Sequence, residues 1–117
     1  MLFVEYPKCT TCIKARNYLA NNKVEFQSRN IKENNPKKEE LILWHKLSGI
    51  DLNKLFNTSG LVYKELNLKD KLPNMTDGEK YDLLASNGML VKRPILVGSN
   101  FALFGFKEEI WNERIVK

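Results

Sequence analysis

The chain has two cysteines among its 117 residues, and both lie in one stretch, Tyr6-Pro7-Lys8-Cys9-Thr10-Thr11-Cys12. A pair at C-x-x-C spacing can hold a metal, staple a fold or work as a redox couple. A structural zinc site takes about four ligands. Beyond the pair, this chain offers only one histidine, His45, and no further cysteine, so no metal site is expected. A C-x-x-C disulfide closes a loop too short to restrict the unfolded chain much, which argues against a staple. The remaining chemistry is thiol–disulfide exchange, in which one thiolate attacks a sulfur and a second thiol resolves the mixed disulfide.

That chemistry belongs at a strand-to-helix turn near a βαβ pattern. Leu2 to Glu5 reads as a short strand and Pro7 breaks it. From Thr10 a helix is predicted, with Ile13, Arg16, Leu19 and Ala20 at helical spacing and Asn21-Asn22 as its stop. Val24 to Arg29 alternates as a second strand, with Val24, Phe26 and Ser28 on one face. Strand, C-x-x-C, helix and strand open a βαβ unit, whose two strands run parallel across a right-handed crossover. At the helix start, unpaired N–H groups and the positive end of the dipole favour a thiolate on Cys9. Cys12, in the first turn on the same side, can reach a mixed disulfide on Cys9. Cys9 is therefore the expected attacker and Cys12 the resolver. Lys8 and Lys14 add positive charge nearby, and Thr10 and Thr11 offer hydroxyls that suit helix capping before substrate contact.

The middle of the chain is helical. Asn34-Asn35-Pro36 starts a helix whose stripe is Leu41, Trp44 and Leu47, with Ile42 beside them, ending at Ser48-Gly49. Asp51 can cap a short turn through Leu52 and Leu55, and Thr58-Ser59-Gly60 starts a segment carrying Leu61, Tyr63 and Leu66. Thr76-Asp77-Gly78-Glu79 fits a capping box before Tyr81, Leu83 and Leu84. Pro94 to Val97 and Phe101 to Phe104 then read as a hairpin across a three-residue turn, Gly98-Ser99-Asn100. A last helix, Lys107 to Arg114, carries Ile110 and Trp111. His45 is expected as a partly exposed helix residue, and Trp44 and Trp111 as core.

The net charge is +5 and the lysines are interleaved with acids, as on solvated helix faces, so direct nucleic-acid binding is not expected. No apolar run is long enough to span a membrane. The N-terminus lacks a basic leader and meets Glu5 at once, so no export signal is expected and the expected address is the cytoplasm.

Together these residues resemble the arsenate reductase (ArsC)/Spx branch of the thioredoxin-like superfamily. The resemblance rests on YPKCTTC with Lys14-Ala15-Arg16, on Thr58-Ser59-Gly60 through Tyr63-Lys64-Glu65-Leu66, on Lys92-Arg93-Pro94-Ile95 and on Gly105-Phe106-Lys107-Glu108-Glu109. It covers essentially the whole chain. It implies an α/β, thioredoxin-like fold (βαβ, helical insertion, ββα) with a mixed four-stranded sheet, residues 1–117 forming one domain with its insertion at about 34–88. It also implies a cis Arg93-Pro94 bond, although only about one X-Pro bond in twenty is cis. Cys9 matches the single cysteine of glutaredoxin-dependent arsenate reductases, and Arg93 matches one of their oxyanion-holding arginines. Their other two arginine positions fall near Phe56 and Gly105, neither of which can pair with arsenate. Spx-type regulators carry C-x-x-C as a redox switch, keep the arginine matching Arg93 and bind the C-terminal domain of the RNA polymerase α subunit. Gly49 matches near a polymerase-contact region, but the chain ends at Lys117 without the longer C-terminal extension of those regulators. Small ArsC/Spx-like proteins are the nearest resemblance.

The expected function is that of a thiol–disulfide redox protein, a thiol-dependent reductase with Cys9 and Cys12 catalytic. Arg93, Pro94, Lys8 and Thr11 are the expected substrate-side residues. No bound cofactor is expected; the reductant is an external thiol such as glutaredoxin, thioredoxin or a low-molecular-weight thiol. The expected partner is that reductant or a disulfide-bearing protein, with the protein monomeric. The alternatives are an Spx-type regulator that binds the polymerase α subunit and, third, a glutaredoxin-dependent arsenate reductase.

Overall fold

The period-two alternation of short strands sorts the side chains of this chain onto two faces of one sheet. In the computed structural model, which describes residues 1–115, four strands line up in the order β2-β1-β3-β4. They are β1 (Leu2–Glu5), β2 (Gln27–Asn30), β3 (Ile95–Val97) and β4 (Ala102–Phe104). β1 and β2 run parallel, from Leu2 opposite Gln27 to Glu5 opposite Asn30, while β1–β3 and β3–β4 are antiparallel. This is the expected mixed sheet. Phe3, Leu96 and Leu103 point to one face, where α1 (Thr10–Asn21) and α6 (Glu108–Ile115) cover them with Ala15, Leu19 and Trp111. Val4, Ile95 and Ala102 point to the other, under α2 (Lys38–Ser48), α3 (Leu61–Glu65), α4 (Leu68–Lys71) and α5 (Asp77–Ser86), which supply Leu41, Trp44, Leu68 and Leu84.

The helix signals in the sequence act as written. Gly49 ends α2 at φ 68°, a left-handed position that glycine adopts without a Cβ penalty. The Asp51 carboxylate accepts from the Asn53 N–H at 2.9 Å. Thr76 and Glu79 bond reciprocally, Glu79 N–H to the Thr76 hydroxyl at 3.2 Å and Thr76 N–H to the Glu79 carboxylate at 2.9 Å. Among the described residues, no helix is long and apolar enough to cross a membrane.

Several boundaries and faces differ from expectation. β2 begins at Gln27 instead of Val24, because the chain is still turning out of α1: Lys23 has φ 56° and the Val24 N–H bonds back to Leu19 O. The face of α1 that turns inward is Cys12, Ala15, Tyr18 and Leu19, while Ile13 is 46% exposed and Arg16 and Ala20 are also exposed. Ala15, Tyr18 and Leu19 pack with Phe3, Leu96 and Trp111, and Ile13 is left outside that cluster. Leu61 and Ile110 are likewise exposed, and α6 buries Trp111 alone. The hairpin loop has four residues. Gly98 N–H donates to Phe101 O at 2.9 Å, and the Phe101 ring folds over Gly98 so closely that a Cβ there would stand 2.2 Å from it.

His45 is part-buried and committed to structure. Its Nε2 lies 2.8 Å from Ile50 O and its Nδ1 2.5 Å from the Tyr81 hydroxyl. A carbonyl only accepts, so Nε2 carries the hydrogen and Nδ1 accepts from Tyr81, tying α2 to α5. Trp44 and Trp111 are both buried, as expected.

Candidate functional site

β1 delivers the motif. Its last residue, Glu5, is a carboxylate only 1% exposed; it pairs with Arg16 of α1 and accepts from the Ser28 hydroxyl of β2 at 2.5 Å. Strand, neighbouring strand and helix are thereby joined just before the turn. The Cys9 N–H then donates to Tyr6 O at 2.9 Å, and Cys9 O accepts from the Ile13 N–H at 3.0 Å, so Cys9 is the residue at which α1 begins. Its side chain caps no backbone group. Both cysteines are free thiols near each other, Cys9 half-buried and Cys12 fully buried.

Their environments push the two thiols apart. Partial burial opposes ionisation of Cys9, but the Cys12 backbone N–H, the Cys12 thiol and the Arg93 guanidinium outweigh it and hold its pKa below the ordinary value. Burial pushes Cys12 up to about 12, reinforced by the neighbouring Cys9 and opposed by the Tyr6 backbone and Arg93. Arg93 comes from the far end of the sequence, just before β3. Its guanidinium stacks on the Tyr6 ring, 5.4 Å from the centroid, and its buried Nε and Nη1 have no hydrogen-bond partner.

Cys9 and Arg93 open onto a cleft of about 360 Å³. Thr11, Asn57 and Ser59 line it, with Lys92 and Lys107 as further cations. Pro94 is buried behind Arg93 across a cis peptide bond, and its carbonyl accepts from the Gly105 N–H at 2.8 Å. Lys8 is exposed and lies outside the lining. Phe56 is 1% exposed and packs in the core. Gly105 does line the cleft, and the Lys92 side chain lies across it, with Cε 2.8 Å from where a Cβ would stand. Sequence reasoning named Arg93 but gave Lys92, Lys107 and Asn57 no role in the site. They come from three separate segments, and only the Lys92-Arg93 adjacency hinted at a shared wall. Among the described residues, no group of three or more His, Cys, Asp or Glu side chains is placed to hold a metal.

Residues 4–114 match the ArsC family model. The chain is 47% identical over 113 residues to YusI of Bacillus subtilis, an uncharacterized protein, covering 97% of this chain and 96% of that one. It is 31% identical to the regulatory protein MgsR of Bacillus subtilis, covering 91% of this chain and 82% of MgsR. Among solved structures it superposes with a TM-score of 0.94 on an ArsC family related protein from Bacteroides fragilis, at 53% identity, covering 96% of this chain and 94% of that one.

Proposed function

Because this chain belongs to the ArsC family, we propose that it is a thiol–disulfide redox protein, a thiol-dependent reductase in which Cys9 attacks and Cys12 resolves. The observation that carries this reading is the opposite displacement of the two thiols, with an Arg93 cation beside the one held low. The Cys9 thiolate attacks one sulfur of a partner's disulfide, forms a mixed disulfide and expels the other partner sulfur as a thiolate. Cys12 stays protonated until then, held up by burial and by the charge on Cys9. Once Cys9 is covalently engaged that charge is gone, and Cys12, still buried, passes its proton to the expelled partner thiolate and becomes the attacking thiolate. It attacks the Cys9 sulfur, closes the Cys9–Cys12 disulfide and releases the second partner thiol. Two electrons have passed to the partner. An external thiol, whether glutaredoxin, thioredoxin or a low-molecular-weight thiol, returns them by the reverse exchange, so no bound cofactor is needed. Pro94 shapes the wall at which the partner approaches, and Thr11 faces the same cleft. Lys8 adds positive charge outside it.

The test is a Cys12→Ser variant offered a disulfide-bearing substrate. It should stall as a mixed disulfide on Cys9, seen by mass under non-reducing conditions. Absence of that adduct, with Cys9 still alkylatable, sinks the reading.

A second reading, implied by the Spx resemblance, is a redox-sensing regulator that binds the RNA polymerase α C-terminal domain; the similarity to MgsR, a regulatory protein, supports a regulator. A pull-down with that domain on oxidised and reduced protein separates the two, and no binding in either state removes the regulator. Arsenate reduction ranks third: Arg93 is the one guanidinium lining the cleft, with Lys92 and Lys107 as point charges, and Phe56 and Gly105 stand near where the arsenate reductases carry further bidentate arginines.

A further inference from the structure

Beside the thiol cleft lies a second depression of about 610 Å³, walled by β4, the 50–58 segment and α6. Ile50, Phe104 and Ile110 give it an apolar lining, and Ile110 is 45% exposed. Four cations, Lys54, Lys92, Lys107 and Arg114, stand around that lining against one acid, Glu113. The depression adjoins the cleft, since Lys92, Phe104, Gly105 and Lys107 line both; Cys9 lines the cleft alone, and Lys54 and Arg114 line the depression alone. Lys54 sits in the turn at 52–55 and Arg114 in the last turn of α6, where it stacks 5.6 Å from the Phe101 ring centroid.

The geometry points to a docking groove for an extended acidic segment of the redox partner. Its carboxylates face Lys54 and Arg114, an apolar side chain covers Phe104 and Ile110, and its disulfide reaches Cys9. Complementary charge at an exposed rim orients a partner and speeds encounter, whereas removal of apolar surface from water supplies affinity. A small anion would leave the apolar lining uncovered. Single-stranded nucleic acid stacks successive bases on open aromatic faces, and of the rings lining this depression Phe104 alone is part-exposed, Phe56 and Trp111 each being 1% exposed. The identity of the partner rests on the thiol-exchange reading, but binding in the groove requires no thiol chemistry.

The full chain would be titrated by fluorescence anisotropy with a fluorescein-labelled peptide alternating glutamate and leucine and ending in serine. A peptide with lysine in place of glutamate and an oligothymidylate serve as comparisons. The acidic peptide should bind at least about tenfold tighter than the basic one, weakening with salt. Lys54→Glu combined with Arg114→Glu, both at exposed positions, should cost it about tenfold, and Ile110→Asp a similar factor, with the Cys9 alkylation rate unchanged. Equal affinity for both peptides, tighter binding of the oligonucleotide, or no loss in the double variant overturns the assignment. So does a dimer in sedimentation that the double substitution dissolves. A disulfide-bearing form of the acidic peptide should exchange more slowly with the double variant, while a small uncharged disulfide exchanges at the parent rate. Binding with no exchange toward either disulfide overturns the thiol-exchange reading and leaves the groove assigned.

Discussion

Tyr6 serves both partners of the reactive pair: its ring carries the Arg93 guanidinium at 5.4 Å, and its carbonyl receives the Cys9 N–H at 2.9 Å. Cation–π stacking holds a guanidinium without using any of its five donors. Arg93 is thus fixed in place with Nε and Nη1 unpartnered.

The first prediction concerns that cation. Arg93→Met should raise the Cys9 pKa, because a donor and a positive charge are both removed. Each unit of rise cuts the thiolate fraction about tenfold below the midpoint, so alkylation near neutrality should slow by roughly that factor. Tyr6→Leu should act in the same direction and more weakly. Rates with iodoacetamide across pH give both midpoints; an unchanged midpoint in Arg93→Met would remove Arg93 from the site.

Cys12 should resist alkylation in the folded protein and react only on unfolding. Its folded pKa, about 12 against an ordinary 9.0, sets a stability trend. The folded state binds this proton more tightly than the unfolded state does, so the contribution is full below 9.0 and lost as pH rises toward 12. Cys9 runs the other way: its depressed value stabilises above the ordinary pKa, and that contribution is lost as pH falls through the folded value. Urea unfolding across the alkaline range should therefore show a shallower decline for Cys12→Ser than for the parent.

Two glycines predict opposite outcomes. A Cβ on Gly88 would stand 2.1 Å from the Ile31 carbonyl oxygen, which is backbone and cannot rotate away, so Gly88→Ala should destabilise by about 1–3 kcal/mol. A Cβ on Gly78 meets only Thr76 Oγ1, at 3.9 Å, inside the first turn of α5. Gly78→Ala should stabilise by about 0.5–1 kcal/mol through helix propensity. Thermal midpoints measured side by side check the pair.

Tyr81→Phe removes the donor to His45 Nδ1 and leaves a part-buried acceptor unpaired. A loss of about 1–3 kcal/mol is expected. Equilibrium denaturation reads it, and Cys9 reactivity should not change, since α2 and α5 lie outside the cleft lining.

The C-x-x-C motif, its helix and the strands before and after it were legible because proline, caps and alternation are local signals. The buried side of α1 was not. Ile13 is a strong hydrophobe, but the side of α1 that turns inward is set by what packs against it, Phe3, Leu96 and Trp111, a surface assembled from distant parts of the chain. The cleft was half legible for a similar reason. Arg93 is next to a proline that singles it out, while Lys107 and Asn57 look like any surface residues until folding brings 57, 92 and 107 to one wall.

Each face of the sheet holds one buried tryptophan, Trp44 among the insertion helices and Trp111 beneath α1. The molecule therefore carries its own pair of optical probes. Trp44→Phe and Trp111→Phe each leave a single emitter confined to one side of the sheet. Their fluorescence during unfolding reports whether the helical cover and the thiol-bearing layer melt as a unit or in sequence.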